Sequence, residues 1–231
     1  AVTLGTSQFR VSVERTGTLR NVRVGETPLV SFIALYTTPT SPETGKGLRG
    51  CQAETPGLGD RIPQMDVTCA EGGAQVVISR VCSHPQVLDN APLWRLRETV
   101  RVSPRGELDL RYECHFDRLL RWGGFDQVTA LNMEAVRGKP FQTFLPGLTI
   151  LGEAPGNLPD RDHSQGLMGA RVESGAGPLA LWFGGTSRVQ MQDWSQYLSF
   201  LAGPAQMPHG GLYTYRDTEM CFTVALRLPV H

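Results

Sequence analysis

Residues 107–117, ELDLRYECHFD, alternate between apolar and charged side chains almost without a break. Leu108, Leu110, Tyr112, Cys114 and Phe116 share one parity, and Glu107, Asp109, Arg111, Glu113, His115 and Asp117 share the other. Only an extended chain sends successive side chains to opposite sides, so a period of two demands a strand with one dry and one wet face. The pattern recurs along the chain. Phe9, Val11 and Val13 alternate before the turn Arg15-Thr16-Gly17, and Leu19, Val22 and Val24 follow it. Val76 and Ile78 come after Glu71-Gly72-Gly73. Near the end, Met220, Phe222, Val224, Leu226 and Leu228 alternate with Glu219, Cys221, Thr223, Ala225 and Arg227.

With 26 Gly and 16 Pro spread between these runs, turn signals recur throughout the 231 residues. Many short strands at that spacing predict an all-β fold, a two-sheet antiparallel sandwich, with a jelly-roll as the alternative arrangement. No linker or composition shift divides the chain, so 1–231 reads as a single all-β domain. Helical periodicity is expected only for a turn or two, over 117–122 and 194–201. The Pro- and Gly-rich stretches 37–63 and 154–166 read as long loops.

The wet face of 107–117 poses a question, because charged faces can be catalytic or simply solvated. Residues 94–102 form a partner strand, joined through Pro104-Arg105-Gly106, which fits a type I turn closed by glycine in the left-handed region. That loop fixes the register: Val102 faces Leu108, Arg101 faces Asp109, Val100 faces Leu110, Arg97 faces Glu113 and Arg95 faces His115. Arg101–Asp109 and Arg97–Glu113 then become opposite-charge pairs worth about 0.2–1 kcal/mol each, as on a solvated surface. Glu98 breaks the pattern by falling on the apolar face opposite Tyr112. A buried carboxylate needs a partner or a shifted pKa. Either Glu98 hydrogen-bonds Tyr112, or this face floors a cleft and Glu98 is a catalytic candidate.

Other chemistry-bearing groups lie outside this hairpin. Asp160-Arg161-Asp162-His163 offers carboxylates and an imidazole, making His163 a candidate acid or base; its spacing fits no calcium loop. His209 sits in the turn Gln206–Gly211 as a further catalytic candidate. Trp182, Arg188, Asp193 and Trp194 bring aromatic rings beside hydrogen-bonding groups, the chemistry that holds sugars, and are the candidate substrate-binding residues. The competing reading makes Trp182 and Trp194 core residues. The five cysteines, Cys51, Cys69, Cys82, Cys114 and Cys221, show no C-x-x-C spacing, so no metal site and no cofactor is expected. They form one bridge, Cys51 to Cys69, or remain thiols that pack as small apolar groups.

Formal net charge is zero and no basic run occurs, which argues against nucleic acid as a partner. The longest apolar run, 29–36, is too short to span a bilayer, so no membrane partner is expected. Only Lys46 and Lys139 of the 22 basic residues are lysine, leaving 20 arginines, a bias that nucleotide composition can also produce. The expected partner is a carbohydrate or another small polar ligand. The sequence leaves the oligomeric state open, and equally whether this soluble chain is cytoplasmic or exported.

The stretches FRVSVERTGTLRNVRVGETPLVSF, ETVRVSPRGELDLRYE, GPLALWFGG and TEMCFTVALRL, in that order, resemble the strand pattern of galactose-mutarotase-like β-supersandwich domains. The resemblance implies that supersandwich fold and a sugar bound on a concave sheet face. It extends to aldose epimerases, to non-catalytic sugar-binding domains, and to domains of polysaccharide lyases and glycosidases. Epimerases of this type use a histidine acid and a glutamate base, and His163 stands near the region where such a histidine lies. The segment AQMPHGG carries no glutamate where the family's late loop has its base, and no N-H-x-x-F-N motif occurs. The resemblance therefore implies carbohydrate recognition and leaves open whether the protein is an enzyme; a structural or protein-interaction sandwich is the alternative.

Overall fold

The computed structural model describes residues 1–40, 63–83, 92–117, 120–154, 168–193, 196–204, 213–215 and 218–230. Strands account for nearly all of them, arranged in two antiparallel sheets. The first sheet has eight strands. It contains β1 (Val2–Gly5), β2 (Phe9–Val13), β3 (Leu19–Val24) and β4 (Thr27–Thr40), an antiparallel meander. The second sheet has nine. It begins with β5 (Gln64–Ala70), β6 (Gly73–Ser83), β7 (Pro92–Val102) and β8 (Glu107–Phe116), again a meander. The chain returns to the first sheet with β9 (Leu120–Asn132) and the single-turn helix α1 (Met133–Val136). It then enters the second sheet with β10 (Lys139–Leu145), β11 (Leu148–Ala154), β12 (Gly169–Ser174) and β13 (Gly177–Gly184). After Gly185, at φ 68°, it crosses back as β14 (Thr186–Asp193), β15 (Tyr197–Pro204) and β16 (Tyr213–Tyr215), and closes in the second sheet as β17 (Thr218–Arg227). The spatial orders are β1-β2-β3-β4-β9-β15-β14, with β16 beside β9, and β11-β10-β12-β13-β17-β8-β7-β6-β5.

The hairpin expected from the alternation is present in the expected register. Val102 faces Leu108, Arg101 faces Asp109, Arg97 faces Glu113 and Arg95 faces His115. Gly106 has φ 75°, and its N–H donates to the Ser103 carbonyl at 3.1 Å. Both stretches expected to hold helical turns differ: 120–132 and 197–204 are strands. Their central residues are buried on consecutive positions, as in Thr129, Ala130, Leu131 and Leu198, Ser199, Phe200. Two-sided burial erases the period of two, and pairing with sheet neighbours outweighs weak local helical preference. The helix that does form follows β9, where the Asn132 side chain accepts from the Glu134 N–H at 3.0 Å.

The sheets enclose one apolar core, built from residues such as Val11, Leu19 and Ile33 of one and Val100, Leu110, Phe222 and Leu181 of the other. They differ on their outer sides. The middle of the first sheet is buried on both faces, while β8 in the second is buried only on alternate residues. Arg95, Arg97, Arg101 and Arg111 accordingly stand exposed on the second sheet's outer face. Cys69 and Cys221 are exposed free thiols and Cys114 is a buried one. Cys51, the expected partner of Cys69, lies outside the described residues, as do 41–62 and 155–166 of the stretches read as long loops; their first residues, 37–40 and 154, belong instead to β4 and β11.

Candidate functional site

The outer face of the nine-stranded sheet is ordered into cross-strand rows by its register. One row runs Phe144, Gly169, Trp182, Ala225, Asp109, Arg101, Gln75 across β10, β12, β13, β17, β8, β7 and β6. Trp182 is 45% exposed, which removes it from the core and sets a large apolar ring on the surface. Its indole stacks on Phe144, with centroids 5.5 Å apart and planes at 11°. Gly169 lies between the two strands and makes the contact possible, since a β-carbon there would sit 2.5 Å from the Trp182 Cε3. The glycine is needed for space rather than for an unusual φ.

Beside Trp182 the small Ala225 leaves room, and beyond it polar groups are tightly paired. Asp109 Oδ1 accepts from Arg227 Nη1 at 2.7 Å, Arg111 pairs with Glu113 at 3.0 Å, and Arg95 pairs with Asp117 at 3.1 Å. Asp109 and Glu113 thus choose partners on β17 and on their own strand instead of the facing Arg101 and Arg97. Each β8 residue has two neighbouring strands, and a hairpin-only reading sees one. Arg101 donates through Nε to the Gln75 Oε1 at 2.8 Å. A groove of about 480 Å³ opens over Arg97, Thr99, Arg101, Asp109, Arg111 and Thr223. A second, of about 560 Å³, lies farther along the same strands and includes Arg97, Glu113, His115, Glu219 and Cys221. There the ring nitrogens of His115 lie 3.8 Å from Glu219 and 3.8 Å from Asp117.

Glu98 takes no part in this surface. It is 2% exposed and points between the sheets. The turn joining β2 to β3 covers it: a β-carbon on Gly17 would collide with Glu98 Oε2, and Arg80 Nη1 donates to the Thr16 carbonyl at 3.0 Å from beneath the same turn. Burial pushes the Glu98 carboxyl up to about 8, against the opposing pull of the Arg80 guanidinium. Tyr112 faces Glu98 in the register, yet Glu98 Oε1 and the Tyr112 hydroxyl each lack a hydrogen-bond partner among the described residues. A ligand on the outer face does not reach this carboxyl.

Of the other sequence candidates, His163, His209 and Trp194 lie outside the described residues. Arg188 and Asp193 belong to β14, an edge of the eight-stranded sheet, whereas Trp182 belongs to β13 of the other sheet. The structure therefore does not set Trp182 in one sheet with Arg188 and Asp193, and only their backbone is described. The residues that sequence reasoning passed over as candidates, Arg97, Arg101, Asp109 and Arg111, fall on the wet face as expected but were read there as merely solvated; Thr99 was not singled out. The glycine inside an apolar strand at 169 was the usable signal for a close approach.

No protein-family model matches the sequence, and no curated relative matches it. Solved structures do. A galactose 1-epimerase from Lactobacillus acidophilus NCFM superposes with a TM-score of 0.54 at 14% identity, over 97% of this chain and 92% of that one. A GalM/aldose epimerase homologue from C. elegans gives 0.55 at 12% identity, over 97% of each chain. At such identities the likeness speaks for the arrangement of strands and no further. With its two antiparallel sheets, the chain has the galactose-mutarotase-like sandwich fold.

Proposed function

We propose that the protein recognises a carbohydrate on the outer face of the nine-stranded sheet. The observation that carries this reading is Trp182, half-exposed and held flat against Phe144 by the absence of a side chain at Gly169. An apolar ring face presents the surface on which a pyranose stacks, and the adjoining Asp109–Arg227 pair supplies hydrogen-bond acceptors and donors for hydroxyls. The kinship in fold with a galactose 1-epimerase is consistent with a sugar ligand. A panel of sugars scored by thermal shift tests the reading, since a ligand bound only by the folded state raises Tm. A sugar that raises the Tm of the wild type should lose that effect on Trp182→Ala. If no sugar shifts the wild type, or the variant responds equally, a structural or protein-interaction role replaces it.

The setting of His115 between two carboxylates favours a second reading, in which the protein transfers protons on a sugar. His115 stands six residues along β8 from Asp109, about 20 Å away, so it does not act on a ring stacked on Trp182. Polarimetry on aldoses tests this reading: the rate of anomer interconversion should fall in His115→Asn, and an unchanged rate would remove His115 from any chemistry.

A further inference from the structure

The smaller groove holds positive charge that its surroundings do not neutralise. Thr99 sits at its centre, with Arg97 and Arg101 two residues to either side on β7 and Arg111 directly opposite on β8. Two carboxylates line the same groove, and both are engaged: Glu113 with Arg111, Asp109 with Arg227. Among the described residues, Arg97 and Arg101 form no ion pair; the Nε of Arg101 is held by Gln75, which braces its side chain without adding charge. Two guanidiniums thus flank a threonine on a sheet floor, and a planar fork of donors suits a carboxylate or sulfate better than a neutral hydroxyl.

Trp182 lies three strands from Arg101 in its own row and about 16 Å from Thr99, which stands two residues farther along β7, at the usual strand and residue spacings. Between them the floor is Ala225 and the Asp109–Arg227 pair. A ligand that touches both the indole and the arginines is longer than one sugar ring. Resting on the carbohydrate reading above, we infer that the protein binds an acidic oligosaccharide, with one ring on Trp182 and the anionic group of a ring farther along the chain between Arg97 and Arg101 over Thr99. The anionic group is a hexuronate carboxylate or a sulfate ester, which share this recognition chemistry.

Calorimetric titration of the whole chain with hexuronate, sulfated and neutral oligosaccharides of matched length, alongside inorganic sulfate, tests the inference. The acidic oligomers should bind about tenfold or more tightly than neutral ones, as a charge-assisted hydrogen bond allows. The gap should narrow from low to high salt because the arginines are exposed and screened. Arg97→Gln and Arg101→Gln should each reduce the preference for acid, and Arg97→Lys, which keeps the charge and loses the fork, should reduce it less. Trp182→Ala should weaken acidic and neutral oligomers alike. Relative affinities of hexuronate and sulfated oligomers tell the two anionic groups apart. Equal binding of acidic and neutral oligomers, or a preference that survives both glutamine variants, overturns the acidic-ligand inference and leaves carbohydrate recognition standing. Binding of inorganic sulfate with no oligosaccharide bound overturns both, as does the absence of any binding across the panel.

Discussion

Glu98 shows what one residue out of phase can cost a sandwich. Its folded-state pKa of about 8 stands well above the 4.5 of an ordinary glutamate, so between those pH values the folded protein keeps a proton that the unfolded chain releases. Stability therefore falls as pH rises from about 4.5 to about 8 and is level beyond, by up to about 1.4 kcal/mol per pH unit within that window. Arg80, Tyr112 and Cys114 are charged or titratable groups beside it, and the pull of Arg80 does not offset the effect of burial. Replacing the acid with its neutral isostere should flatten the slope. Denaturant unfolding of Glu98→Gln should show a stability gain of a few kcal/mol over wild type at pH 8 and little difference at pH 5. Parallel pH curves for the two proteins would mean that Glu98 is not held protonated in the fold.

At the scale of single elements, the β7–β8 hairpin and the β10–β12–β13 ribbon each depend on one glycine for a different reason. Gly106 needs a positive φ, and a β-carbon there would also collide with Val230 Cγ2. Gly106→Val should destabilise by about 1–3 kcal/mol, read as a lower denaturation midpoint. Gly169 needs space, because a β-carbon there would crowd both the Trp182 ring and the Leu181 carbonyl. Gly169→Ala should displace Trp182 from Phe144, which near-ultraviolet circular dichroism would register. It should also cost sugar binding as much as losing the tryptophan does. The hairpin, its register and its glycine were all legible in the sequence because a three-residue loop and strict alternation over-determine them. Partner choice on the wet face was not legible: Asp109 answers to Arg227, which lies 118 residues away and becomes a neighbour only once β17 docks against β8. The strands β9 and β15 escaped for the opposite reason, since burial on both sides leaves no alternation to detect.

Over the whole molecule the two sheets are asymmetric. One sheet has a middle buried on both sides; the other has an inner face in the shared core and an outer face lined with arginines, carboxylates and Trp182. Two tryptophans sample the difference. Trp94 is 1% exposed, and Trp94→Ala should cost about 3–5 kcal/mol in unfolding measurements. Trp182→Ala, at a half-exposed site, should cost roughly half as much, from its contact with Phe144 and the apolar area that it covers. Comparable losses for the two would show that the outer face is structural after all. The alternation of β7, β8 and β17 carries a further consequence for descent. Residues that decide whether the chain folds and residues that decide what touches it are interleaved one for one, and a substitution at an outward position leaves its inward neighbours in register. Lineages can drift in what they hold while inheriting the same interior, so the ligand of one member of such a lineage is a poor guide to the ligand of another.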